Sequence, residues 1–198
     1  MKGLDASLTQ KGSEEDFGVE LMYDTHMGWY ASRRLMTCRV PYNLVCFGGK
    51  GMIQEVADLY QLFVSVHATV DKMLEGLSDD DWVKKPQPNF NNIASIVEHV
   101  ALVERRFFAQ VKGELSQLDA GEPFRAESWD VAKIKELWVS NLEFAKSALE
   151  PLSESDLAEF GAKLGVGEVN KRQLIAYAIA HTAHHRGQIP LVKKLLGL

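Results

Sequence analysis

Three of the six histidines are spaced for metal chemistry. His181 and His185 are four residues apart, so in a helix their imidazoles project from one face about a turn apart, close enough to grip one ion. Their stripe is otherwise apolar, with Leu174 and Ala178 before them and Val192 and Leu195 after. Buried imidazoles need partners for their ring nitrogens, and a shared cation satisfies one nitrogen on each; hydrogen-bonded core histidines are the alternative. His99 lies in Ile96-Val97-Glu98-His99-Val100, on a second segment that is apolar along one side. Helical bundles build metal sites from side chains on facing helices, and His99 supplies the third ligand of such a set. Three neutral imidazoles leave the ion's charge uncompensated and at least one coordination position free, the arrangement of catalytic rather than structural zinc. An open ion of this kind deprotonates a bound thiol into a nucleophile, or draws the pKa of water down toward neutrality. Composition and spacing leave both routes open, together with a third: a non-catalytic bundle that binds a ligand or partner.

Around these ligands stand four residues able to touch a substrate or orient a ligand. Gln188 follows His185 by three and Tyr177 precedes His181 by four, so both are placed near the site. His184 falls off the apolar seam and reads as a supporting or surface residue. Arg186 can pair with a substrate carboxylate, although a surface or salt-bridge role suits an arginine better. Glu98 and Glu104 are read as off the seam, solvated or hydrogen-bonded to the ligands, and His67 as a boundary residue of the first helix. His26 is given no role. No Ser-His-Asp arrangement, phosphate-cradling glycine loop or dinucleotide fingerprint occurs.

Four helices must position these groups. The first is expected from about Met52 to Leu77, with Leu59, Phe63, Val66, Val70, Met73 and Leu77 alternating in steps of four and three. It should stop at Ser78-Asp79-Asp80-Asp81, and Pro86 and Pro88 forbid regular helix beyond. Asn91 or Asn92 caps a second helix with Ile93, Ile96, Val100, Val103 and Phe107 inward, ending near Gly113. Ser128 is expected to cap a third, carrying Val131, Ile134, Trp138, Leu142, Ala145 and Leu149. A loop containing Gly161, Gly165 and Gly167 leads to Asn170, which forms a capping-box pair with Gln173 and starts the last helix. The chain also echoes itself: Leu77-Ser78-Asp79-Asp80-Asp81-Trp82 and Leu152-Ser153-Glu154-Ser155-Asp156-Leu157 each precede a connection and a histidine-bearing helix. Connections of a dozen residues leave the order of the helices open.

Composition narrows the classes. At 198 residues, 46% hydrophobic and 25% charged, the chain suits one core with an appendage. A net charge of −5, without a basic stripe interleaved with aromatics, argues against nucleic acid as a partner. Apolar runs stop well short of the ~18 residues a membrane helix needs and no leader pattern opens the chain, so the expectation is a cytoplasmic protein with no membrane partner. Both cysteines, Cys38 and Cys46, lie in the first quarter, so a metal in the main domain must use nitrogen or oxygen ligands. Residues 1–51 show no sustained period and close on Gly48-Gly49-Lys50-Gly51. Such a run requires purine-rich codons, as an in-frame translated ribosome-binding site would. Two readings follow: Met52 is the native initiator and 1–51 an upstream extension, or 1–51 is a real but poorly packed N-terminal arm. Residues 52–198 form the metal-binding domain.

The run His181-Thr182-Ala183-His184-His185-Arg186-Gly187-Gln188 resembles the His-x-x-x-His-Arg-Gly-Gln signature of DinB/YfiT-like bacterial proteins. His99 with the following Val100-Ala101-Leu102-Val103-Glu104-Arg105-Arg106-Phe107 resembles the ligand segment of that family's second helix, and Trp82 followed by Pro86 its tryptophan-then-proline connection. The resemblance runs from Met52 to Leu198. It implies an all-α, up-down-down-up four-helix bundle, often a homodimer, with a zinc- or nickel-like divalent ion on His99, His181 and His185. Members include transferases that use bacillithiol, mycothiol or glutathione, so it further implies a low-molecular-weight thiol co-substrate and a small electrophile. A metal-dependent hydrolase and a non-catalytic binding bundle are the competing functions.

Overall fold

The computed structural model describes residues 51–198; the two readings of the N-terminal segment therefore concern residues that, Gly51 apart, lie outside those described. Four long helices carry the fold: α1 (Gln54–Leu74), α3 (Ile93–Val111), α4 (Val131–Leu149) and α6 (Lys171–Arg186), joined by short α2 (Asp79–Val83) and α5 (Glu154–Leu157) and followed by α7 (Gln188–Leu196). Three of the four long helices start at a side-chain cap. The side chains of Asn92, Asp130 and Asn170 accept from the backbone N–H three residues on, and Asn170 and Gln173 close a reciprocal box. The third helix is thus capped by Asp130 and not by Ser128, which lies too far upstream of the first apolar residue turned inward, Val131. The internal echo has the same explanation: Ser78 with Asp81 and Ser153 with Asp156 are two capping boxes, each opening a one-turn helix. Where the first helix was expected to give way to a plain turn, α2 forms and buries Trp82.

Side-chain contacts fix the direction of the helices. Arg172 pairs with Glu55, and Arg186 Nη1 donates to Thr69 Oγ1, so α6 runs parallel to α1. Tyr60 reaches Leu142 and Trp138 reaches Asp71, so α4 runs antiparallel to α1. Phe107 faces Tyr177 while His99 faces His181, so α3 runs antiparallel to α6. The bundle is up-down-down-up, with α3 and α4 side by side and parallel. Long crossovers permit this where tight turns would force sequential helices antiparallel.

Two departures from the sequence reading shape the site. Between α5 and α6 the chain forms an antiparallel hairpin, β1 (Phe160–Leu164) with β2 (Gly167–Asn170), and not an irregular loop. Its register slips at Gly161, where a Cβ would sit 2.9 Å from the Asn170 backbone, so only glycine lets the strand pass the start of α6. The last helix also breaks at Gly187. Pro190 has no N–H to return to the Arg186 carbonyl, whereas the first turn of a new helix tolerates it, so α7 starts at Gln188. Leu195, expected on the inner seam, is consequently 58% exposed.

The interior is two apolar clusters with a polar layer between them. One gathers Phe63, Phe107, Phe108, Leu149 and Leu174; the other Trp82, Ile93, Ile134, Trp138 and Ile189. Between them lie His67, Glu104, Asn141 and Thr182, one from each long helix and none more than 1% exposed. The Glu104 carboxyl oxygens meet His67 Nε2 at 3.0 Å, Thr182 Oγ1 at 2.7 Å and Asn141 Nδ2 at 2.7 Å. Asn141 also donates to the Ala101 carbonyl and accepts from Arg105, and His67 stacks on Trp138 at 3.8 Å. This corrects the reading of Glu104 as a seam outsider and of His67 as a boundary residue. Each completes the other's hydrogen bonding, which is how a bundle carries polar groups at full burial.

Candidate metal centre

The two histidine-bearing helices are α3 and α6, and their antiparallel contact brings His99, His181 and His185 together. Ring centroids are 5.1 Å apart for His99 and His181, 4.7 Å for His99 and His185, and 4.5 Å for His181 and His185. One ring nitrogen from each lies within 4.8 Å of the others, the spacing at which three imidazoles can hold one ion. Thr182, anchored to Glu104 in the polar layer, sits between the two ligands of α6 in sequence and ties that turn of the helix to α3.

The outward nitrogens are already assigned. His99 Nδ1–H donates to the Ala120 carbonyl at 2.6 Å, from the connection just before the 3-10 turn Glu122–Phe124. His185 Nδ1–H donates to Gln188 Oε1 at 2.9 Å. Each bond fixes the tautomer and leaves Nε2 of His99 and of His185 as an acceptor. His99 Nε2 then lies 3.2 Å from His181 Nε2. His181 Nδ1 is buried with no hydrogen-bond partner in the protein.

Burial favours the neutral form of all three rings. Burial pushes His181 down to about 3, helped by His185, His99 and His184 around it. Burial likewise lowers His99, against the opposing pull of the Ala120 carbonyl, and lowers His185, against Gln188 and with His99 and His184 adding to it. Three imidazoles whose ring nitrogens lie this close can exchange the His181–His99 hydrogen bond for a shared cation. Three histidines here could therefore hold a metal ion.

Two of the three histidines border a cleft. His99 and His181 line a cleft of about 440 Å³ that is also bounded by Arg106, Phe107, Lys163 of the hairpin and Tyr177. Among the neighbouring residues singled out by spacing, Gln188 touches His185 and Tyr177 lines the cleft. His184 is exposed, its ring edge against His185 at 4.9 Å, and Arg186 turns away to Thr69 on α1. Glu98 stands apart, with its carboxyl pushed up by burial and by Glu122 and Asp130. Three features were missed from spacing: the Ala120 carbonyl, Arg106 and the hairpin's Lys163. Only Arg106 left a trace in the sequence, seven residues after His99 and so on the same helical stripe.

An up-down-down-up bundle with three histidines from two antiparallel helices at the head of a cleft defines a class, the helical bundles with a candidate metal centre between facing helices. Residues 62–189 match the model of the DinB superfamily, and the chain belongs to that superfamily. Solved structures agree on the fold. A DinB-like protein from Bacillus subtilis is 22% identical, matching 71% of this chain and 92% of its own, with a TM-score of 0.54. A conserved protein from Enterococcus faecalis is 13% identical over 72% and 98%, with a TM-score of 0.60. A DinB family candidate from Exiguobacterium sibiricum is 16% identical over 74% and 95%, with a TM-score of 0.56. No curated protein matches the chain. No helix of the described residues is long and apolar enough to cross a membrane.

Proposed function

We propose that this protein is a thiol-dependent S-transferase, in which His99, His181 and His185 hold a zinc- or nickel-like divalent ion and a low-molecular-weight thiol adds to a small electrophile. The observation that carries the reading is that two of the three histidines, His99 and His181, line the cleft, so a small molecule held there lies against them. A structural site would be closed over by protein. A divalent ion held there would supply the charge that lowers a thiol's pKa into the neutral range and keeps it as the nucleophile. The chain's own contributions are distinct from that. Ala120 and Gln188 hold the His99 and His185 tautomers, burial favours the neutral form of the rings, and Tyr177 and Phe107 give the cleft an apolar wall. In the reaction the thiol sulfur forms a bond to the electrophilic carbon, the leaving group departs with the bonding pair, and the thiol proton passes to solvent.

The test begins with metal content. The full chain, prepared without a histidine tag or chelator, is expected to hold close to one equivalent of divalent metal, and the His99→Ala and His181→Ala variants to hold none. Loss of an aryl halide is then followed with bacillithiol, mycothiol or glutathione. Metal-dependent turnover with one thiol supports the reading. Turnover without thiol would replace it with hydrolysis, and a chain that cannot be loaded with any metal would leave a binding bundle.

A further inference from the structure

The cleft's charge is at odds with that of the chain. The protein as a whole is acidic, yet the cleft beside the histidines carries two basic side chains, Arg106 on α3 and Lys163 on β1. Neither has a carboxylate within ion-pair distance among the described residues; the Arg106 guanidinium lies 6.0 Å from the Phe107 ring. The one acid lining the cleft, Asp119, is already engaged by Arg125 and by the Gly121 N–H, which hold its carboxyl below the usual carboxylate range. An arginine left without a partner at the edge of a concave site offers a planar fork of donors that suits a carboxylate.

Position adds a length requirement. The Phe107 ring lies 6.0 Å from the Arg106 guanidinium and 6.3 Å from the His181 ring, so the basic group and the histidines are set apart by an aromatic side chain. A molecule fixed at Arg106 therefore reaches the histidines only if several bonds separate its anionic group from its reacting atom. Between the two ends lie Phe107 and Tyr177, ring centroids 5.9 Å apart, as a surface for an apolar or unsaturated middle.

We infer that Arg106, assisted by Lys163, is a binding site for the carboxylate of a small organic anion whose other end lies at the three histidines. The inference rests on the proposed function in treating that anion as one of the two reactants, the electrophile or the thiol; the binding itself needs neither metal nor turnover. Carboxylates are carried by many small electrophiles and by peptide thiols alike, and the test separates the two.

The experiment is calorimetric titration of the full chain, in metal-loaded and metal-free form, with glutarate, with glutathione and with uncharged glutaramide. The expected result is that glutarate or glutathione binds at least tenfold more tightly than glutaramide in both forms. Arg106→Ala should weaken that binding tenfold or more, Arg106→Lys less, and Lys163→Ala about threefold, as for loss of a charge-assisted hydrogen bond and of an exposed charge. Arg106 dependence for glutarate alone puts the carboxylate on the electrophile, and for glutathione alone on the thiol. Equal binding of glutaramide would overturn the inference. So would anion binding that survives Arg106→Ala but is lost in His181→Ala, which would put the anion on the ion itself. Failure of the metal reading would appear separately, as an unloadable chain whose glutarate binding still depends on Arg106.

Discussion

Replacing Glu104 tests whether the buried polar layer holds the bundle in register. In Glu104→Ala, His67 loses the one side-chain partner it has among the described residues, while Asn141 keeps the Ala101 carbonyl and Thr182 keeps the Ala178 carbonyl. Stranding the His67 nitrogen costs about 1–3 kcal/mol and weakening each of the other two about 0.5–1.5 kcal/mol. The cavity left by the lost side chain at 0% exposure raises the total to about 3–8 kcal/mol. Because a domain of this size is stable by about 5–15 kcal/mol, the variant should be close to unfolding. Glu104→Gln should cost less, about 1–3 kcal/mol, since its amide can keep one oxygen acceptor but must turn donors toward either Asn141 or Thr182. Urea unfolding followed by circular dichroism at neutral pH gives both numbers. A double-mutant cycle with Thr182→Val should show a coupling of about 0.5–1.5 kcal/mol, because the Thr182–Glu104 bond is direct. An alanine variant within about 1 kcal/mol of the parent would refute the reasoning, since it would mean the stranded donors find water or other partners at no cost.

Gln188→Leu removes the acceptor that fixes the His185 tautomer, and metal affinity should drop about 10- to 100-fold in a competition titration while the unfolding midpoint barely moves. Gly161→Ala forces a Cβ to 2.9 Å from the Asn170 backbone, so it should cost about 1–3 kcal/mol by urea unfolding; full stability would mean the strand can shift freely. The histidine triad predicts a pH dependence in metal-free protein. Burial lowers all three folded pKa values below the unfolded ~6.5, so the unfolded chain binds more protons. Stability is then complete above ~6.5 and is lost as pH falls toward the folded values, His181 being the last to titrate, at about 3. The slope is about 1.4 kcal/mol per pH unit for each proton taken up on unfolding. Between pH 7 and 5 His181→Ala should flatten it, and equal slopes in parent and variant would contradict the account.

Much of this architecture is written in local chemistry. The apolar steps of three and four around Phe63, Val100 and Trp138 identify inward faces because the helical repeat is the same wherever the helix packs. Asn170 with Gln173 marks a helix start because a capping box closes within four residues. The His-x-x-x-His pair could be read because four residues make one turn, and His99 was expected beside it from the facing-helix pattern and the family resemblance; the contact of α3 with α6 brings the three together. By contrast, the hairpin has only a short run, Phe160 to Asn170, broken by three glycines, and neither a strand nor a helix period can establish itself there. The break at Gly187 follows from Pro190, a local signal that the strong seam through His181 and His185 overrode.

Four helices, their inward faces and the three histidines as candidate ligands could be read from the sequence, since helical periodicity and capping are relations between residues within one turn of each other and the family resemblance adds His99. Tertiary structure decided the rest. Whether Glu104 meets solvent or His67, which carbonyl holds the His99 tautomer, and what stands at the far end of the cleft all depend on residues distant in sequence: 37 apart for His67 and Glu104, 82 for His99 and His181. A polar side chain on a helix carries no local mark of being buried, because burial belongs to the neighbour it finds, and only the packing of α1, α3, α4 and α6 supplies that neighbour.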